Sequence, residues 1–202
     1  EMSRGLGDVY KRQVRNNIKY NENLVNQYLN TISRLRKKVN DLNSKINQYN
    51  SQISQLNSNI KSKESQIDEL NRLKSKYQKL QNDFANRQSK RVNTFNVNFS
   101  KNLNLKFIRS YISGMKSLLS GNDYKRSYNG LSSAIGTISN KIKSIQREID
   151  SLKKDINSKQ RSIDSIRRDI SSYQSQINRT NSNLSYRRQR ITYWKNQLRY
   201  AR

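Results

Sequence analysis

One set of apolar residues returns every seven positions along most of this chain, and that period dictates what the chain can become. The series runs Val25, Ile32, Val39, Ile46, Ile53, Ile60 and Ile67. Three residues after each come Tyr28, Leu35, Leu42, Tyr49, Leu56, Lys63 and Leu70. Asn, Ser, Lys and Gln fill most of the gaps. Apolar residues at the a and d positions of a heptad form a narrow stripe that a helix can bury only against another helix, which is the coiled-coil pattern. Leu73, Tyr77, Leu80 and Phe84 then read as a stripe three residues out of phase. A three-residue insertion of this kind predicts a stammer, with local overwinding.

A second array has a positions Ile135, Ile142, Ile149, Ile156, Ile163, Ile170, Ile177, Leu184, Ile191 and Leu198. Its d positions include Leu131, Ile138, Ile145, Leu152, Lys159, Ile166, Tyr173, Thr180, Arg187 and Trp194. Each array covers about 70 residues, or roughly 105 Å of helix. Equal arrays flanking a segment that contains breakers predict an all-α fold: a long antiparallel coiled-coil hairpin with a small tip subdomain. Pairing a with d across the seam is satisfied when residue numbers add to about 219. Lys63 and Lys159 then occupy adjacent layers, facing Ile156 and Ile60. They are the candidate register-setting residues, because a polar seam residue costs stability but rejects slipped pairings. The same Lys stems can also simply snorkel out of the seam. The alternative to a hairpin is pairing between chains as a homo-oligomer.

The expected organisation is a leader over 1–13, a first long helix over 14–91, a tip over 92–130 and a second long helix over 131–202. In the tip, Phe95, Val97 and Phe99 alternate with Asn, as do Leu103, Leu105 and Phe107, which reads as a short β-hairpin turning near residues 100–102. The stretch also reads as a helix through Val92, Phe95, Phe99 and Leu103. Ile108, Tyr111, Ile112, Met115, Leu118 and Leu119 have the spacing of a short amphipathic helix, and Ser120-Gly121-Asn122-Asp123 reads as a turn. The leader contains Ser3-Arg4-Gly5-Leu6-Gly7-Asp8-Val9-Tyr10-Lys11-Arg12-Gln13, which resembles translated sequencing-adapter read-through. The second array reaches Arg202 without a C-cap. Both ends therefore read as cut, which favours an arm of something longer, with a free-standing rod as the alternative.

Composition limits the chemistry. The 202 residues hold 41 Lys+Arg, 14 Asp+Glu, no His, no Cys and no Pro, for a net charge of +27. Without Cys or His there is no disulfide and no thiolate or imidazole metal site, and the usual general base is missing. The carboxylates are sparse and no Gly-rich phosphate loop is present, so the expectation is a non-enzymatic chain with no cofactor. No apolar run approaches a membrane span and no secretory h-region opens the chain. A cytoplasmic location is expected, with secretion left open by the doubtful N-terminus.

The charge is unevenly placed. Arg87, Lys90, Arg91, Lys101, Lys106, Arg109 and Lys116 fall in a stretch with no acid. Arg187, Arg188, Arg190, Lys195 and Arg199 follow the last acid, Asp169, and are interleaved with Tyr186, Tyr193, Trp194 and Tyr200. Basic stretches bind polyanions by releasing counterions, and rings beside Arg offer stacking surfaces. These residues are the candidate nucleic-acid-binding set: Arg87, Lys90, Arg91, Lys101, Lys106, Arg109, Arg187, Arg188, Arg190, Lys195 and Arg199. Trp194, at a d position, reads first as seam packing, whereas Tyr186, Tyr193 and Tyr200 lie off the seam.

The paired arrays resemble the antiparallel arms of chromosome-partition (SMC-type) ATPases. That likeness implies a coiled-coil arm, but no ATPase head motif is present to carry over an ATP-driven activity. The related DNA-repair ATPases carry a CxxC zinc hook at the tip, and this chain has no Cys. The order helix, β-hairpin, helix is also similar to prefoldin subunits. The expected function is a structural or scaffolding coiled coil that contacts nucleic acid or another polyanion, such as an anionic membrane surface, through the basic ends of the rod. The alternative is a protein-interaction module, a prefoldin-like chaperone or an assembly spacer, that meets a protein partner at tip 92–122.

Overall fold

The computed structural model describes residues 2–99 and 106–200, with side chains described for 7–94, 110–118 and 121–200. The described chain is helical apart from a bend at Gly121. The elements are α1 (Met2–Phe99), α2 (Lys106–Ser120) and α3 (Asn122–Tyr200). Both long helices exceed their expected bounds, α1 running through the leader and α3 starting upstream of Leu131. The long helices pack against each other. The chain divides into two compact units, one made of Glu1–Ser54 with Ile156–Arg202, the other of Gln55–Asp155.

In the first unit the contacts run from Tyr10–Gln197 through Asn21–Arg187 to Gln52–Lys159, so the two helical segments are antiparallel. Its buried apolar residues, Val14, Ile32, Leu35, Ile163 and Leu184, all occupy a or d positions. Full burial of such a side chain is worth about 1.5–3 kcal/mol, which is why a narrow stripe can hold two helices. In the second unit Ile60, Ile138, Ile145 and Ile149 do the same work, with Lys63–Glu148 and Gln81–Ser132 as cross-contacts.

The register differs from the expected one. Gln52–Lys159 and Lys38–Tyr173 in the first unit, and Lys63–Glu148 in the second, pair numbers that add to 211, about one heptad below 219. Heptad phase fixes the sum only to within a multiple of seven, so phase alone could not choose. Tyr49 thereby falls opposite Ile163 rather than Ile170, and Lys159 lies by Tyr49 and Gln52 rather than Ile60.

The expected stammer is absent. Leu73 and Leu80, 41% and 55% exposed, face out. The seam continues in phase through half-buried Lys74, Tyr77, Gln81 and Phe84. Gln81 makes this tolerable, because its Nε2 donates to Ser132 Oγ at 2.6 Å and to the Tyr128 carbonyl at 3.4 Å. Hydrogen-bonded in this way, the Gln81 amide avoids the penalty of an unsatisfied polar group at the seam.

No strand occurs among the described residues. Phe95, Val97 and Phe99 belong to α1, while Lys106 and Phe107 belong to α2. Extending a helix that already exists requires no new nucleus, whereas a hairpin over these residues would require one. The expected turn lies in 100–105, outside the described residues. The α2 helix covers the segment whose apolar spacing predicts it. Between α2 and α3, a Cβ on Gly121 would fall 2.1 Å from the Ser117 carbonyl oxygen, so the close approach requires glycine. The Gly121 carbonyl accepts from Lys125 N–H at 3.2 Å, which closes the first turn of α3.

The register has a direct check. With no native Cys to interfere, the pair Ile67→Cys and Ile145→Cys should form a disulfide under mild oxidation. The pair Ile67→Cys and Leu152→Cys, which the sum of about 219 would join, should not. The reverse result on a non-reducing gel would restore the expected register.

Candidate nucleic-acid interface

The a and d assignments continue toward the N-terminus of α1, through Val14 and Ile18, and this places Asn21 at a d position. Asn21 is 4% exposed. Its Nδ2 donates to the Asn17 carbonyl at 2.7 Å, and its Oδ1 accepts from Arg187 Nη1 at 3.3 Å. The Arg187 guanidinium also lies over the rings of Tyr20 and Tyr186, 6.0 and 5.3 Å from their centroids. Arg190 sits 5.1 Å from both Tyr193 and Trp194, whose rings meet edge to face at 5.0 Å. Each contact between guanidinium and ring is worth about 0.5–1 kcal/mol at an exposed site and holds the cation in place.

Heptad geometry separates two flanks of this first unit. At 100° per residue, c and g positions lie on one side of the seam and e and b positions on the other. Antiparallel packing brings g beside g and e beside e, as the g-position pair Tyr10–Gln197 and the e-position pair Glu22–Lys195 (3.3 Å) demonstrate. On the e side, Lys11, Arg15, Lys195, Leu198 and Arg199 line a cleft of about 480 Å³. Four cations from two helices converge there, and no carboxylate is among the lining residues. On the g side stand the exposed tyrosines. Thus Lys195 and Arg199 come together, Arg190 stands on the opposite flank, seam residue Arg187 reaches over Tyr20 and Tyr186 on that same side, and Arg188 is exposed at an e position.

The other predicted cations belong to the second unit. Arg87 and Arg91, one turn apart, line a cleft of about 390 Å³ with Phe84, Leu118, Asp123 and Tyr124. The Phe84 and Tyr124 rings stack at 5.0 Å and 15°. Lys90 is exposed and does not line this cleft. Lys101 lies outside the described residues, as do the side chains of Lys106 and Arg109. Sequence reasoning passed over Asn21, Tyr20, Tyr10 and Lys11. The signal was present in the heptad letters, had the first array been extended back from Val25 through Ile18 and Val14.

The two seam lysines are each engaged. Lys159 Nζ donates to Gln52 Oε1 at 2.7 Å and lies 5.6 Å from the Tyr49 ring centroid. Lys63 Nζ pairs with Glu148 Oε2 at 2.5 Å. The hydrogen bond and charge of Lys63 hold the Glu148 carboxyl below the ordinary carboxylate value, with Lys141 and Ser144 adding smaller effects in the same direction.

Among the described residues no helix is long and apolar enough to cross a membrane. No family model, curated protein or solved structure matches this chain.

The Lys63–Glu148 pair predicts a signed pH effect. A carboxyl whose folded pKa is depressed contributes stability above its unfolded pKa and loses it as pH falls through the folded value. An NMR titration of the Glu148 side chain should give a midpoint below the ordinary carboxylate value, returning to it in Lys63→Met. A midpoint that ignores the substitution would dissolve the pair.

Proposed function

We propose that α1 and α3 form one antiparallel coiled-coil hairpin that serves as a non-enzymatic scaffold and contacts nucleic acid through its basic surface. The observation that carries this reading is the cleft where Lys11, Arg15, Lys195 and Arg199 converge without a carboxylate in its lining, Glu22 pairing with one of them, Lys195. Cations gathered from two helices repel one another, and a phosphate backbone relieves that repulsion while releasing its own counterions. The net charge of +27 adds a long-range attraction for the same partner. A coiled-coil arm of the chromosome-partition type is compatible with this role.

A second reading is a protein-interaction module at the tip. It is favoured by Tyr111 and Leu118 of α2, which are 54% and 71% exposed, Leu118 also lining the cleft with Arg87 and Arg91. Such a surface fits a chaperone-like contact with apolar segments of unfolded chains.

Binding of labelled DNA or RNA tests the leading reading. Log affinity should fall linearly with log salt. Replacing Lys11, Arg15, Lys195 and Arg199 together by Gln should reduce the slope by about 3, at ~0.7–0.9 for each phosphate that is no longer neutralised. Absence of binding at about 50 mM salt would end this reading. For the second, the chain should suppress light scattering by an aggregating denatured protein, and Tyr111→Ser with Leu118→Ser should abolish the effect. Failure of the unmodified chain to suppress scattering disposes of it.

A further inference from the structure

We infer that the g-side flank of the first unit is a docking surface for single-stranded nucleic acid, with Tyr20, Tyr186 and Tyr193 as platforms for unpaired bases. This rests on the nucleic-acid reading above and assigns strand selectivity to a different flank from the cation cleft.

Tyr186, Tyr193 and Tyr200 recur every seven residues, all at c positions, so they stand on one face of α3 about 10.5 Å apart. Coiled-coil packing makes no demand on c positions. Such positions are ordinarily filled by charged or small polar residues, as Ser172 and Arg179 fill the preceding two. Three large rings in succession there are not explained by the seam. They are 54%, 46% and 86% exposed, and α1 adds Tyr20 at 58% and Tyr10 at 42% to the same flank. Arg187 links Tyr20 to Tyr186 across the helix pair, and the Tyr10 hydroxyl reaches Gln197 at 3.5 Å. The five rings therefore belong to one continuous surface built by both helices.

The charge on that surface selects the occupant. From Tyr10 to Arg34 in α1 and from Gln176 to Tyr200 in α3, no c or g position is acidic. The one acid of these two stretches, Glu22, is at an e position on the opposite flank, as is Asp8 just upstream. Arg179 and Arg190 stand on the tyrosine side. A second copy of this chain would set cation against cation, since each carries +27. A partner that offers both flat rings and negative charge fits instead. In a duplex the base faces are already stacked and paired, so exposed tyrosines gain little from it. A single strand presents both base faces and phosphates. The platform spacing exceeds the ~3.4 Å rise of stacked bases, so neighbouring tyrosines would engage non-adjacent bases of an extended strand.

The test compares a labelled single-stranded oligonucleotide with the duplex of the same sequence, using the full chain at low salt. The unmodified chain should bind the single strand at least about tenfold more tightly, since stacking on an aromatic side chain is worth ~1–3 kcal/mol per base. Tyr20→Ala, Tyr186→Ala and Tyr193→Ala combined should weaken single-strand binding by tenfold or more and leave duplex binding within about twofold. The corresponding Phe substitutions, which keep the rings, should restore it. Circular dichroism of each variant establishes that the helices persist, which these off-seam sites predict. Equal or tighter duplex binding, or a triple Ala variant that keeps single-strand affinity, overturns the inference and leaves the polyanion reading standing. Loss of single-strand binding in the Phe variant overturns the stacking role. Sedimentation showing self-association that the Ala variant abolishes would assign the surface to a second copy. Absence of binding to either oligonucleotide overturns both.

Discussion

Two helices with so few apolar side chains can hold together only along the line where their a and d residues meet. Ile149 and Ile163, 1% and 0% exposed, lie on that line, as does Val14 at 1%. Almost everything else on either helix faces water. The stripe is narrow because two helices in contact cover little of each other, and this is why a chain with only 32% hydrophobic residues can fold at all. It also means that each interruption of the stripe has to be settled locally, since no second layer of core lies behind it.

The interruptions are settled by partners in the other helix. Asn21 accepts from Arg187, Lys159 donates to Gln52, Lys63 pairs with Glu148 and Gln81 donates to Ser132. Apolar layers separated by one heptad are nearly interchangeable, because β-branched a residues recur along both arrays. A slip by seven residues would keep Ile against Leu but strand these polar groups. Of these only Asn21 is buried, and a buried polar group without a partner costs about 1–3 kcal/mol. The apolar seam residues carry the adhesion, and the polar ones at the seam are each met by a partner in the other helix.

That division explains what could be read in advance. The seam positions were legible, because a seven-residue period follows directly from helix geometry. Helix α2 was legible for the same reason, from the spacing of Ile112 and Met115. The alignment was not, because a seven-residue period leaves the sum of paired residue numbers open to any multiple of seven. Leu73 and Leu80 mislead because hydrophobicity alone does not decide burial. The helix instead keeps its phase and buries part of Lys74 and Gln81, whose long polar chains can satisfy themselves at the seam edge. Phe95, Val97 and Phe99 mislead because their alternation competes with a helix already running into it. The cation set was partly legible. Lys195 and Arg199 converge with Arg15, which a hairpin places beside the C-terminal basic stretch, while Lys11 lies in the segment set aside as a leader.

A coiled coil of this kind has little freedom in its seam, so differences in function must be written in the flanks. The heptad letter of a residue then says more about its role than its neighbours in sequence do. Lys195 and Tyr193 are two residues apart, yet one faces Glu22 across the e side while the other meets Arg190 on the g side. The e side gathers cations with a few acids to balance them. Between Tyr10 and Arg34 and between Gln176 and Tyr200, the g side gathers rings with cations and no acid. An e-side surface offers phosphates a compact field of charge. A g-side surface offers flat apolar faces as well, and guanidinium groups already held against rings lose little freedom when a phosphate arrives. One pair of helices thus presents two chemically distinct surfaces, separated only by the seam that holds it together.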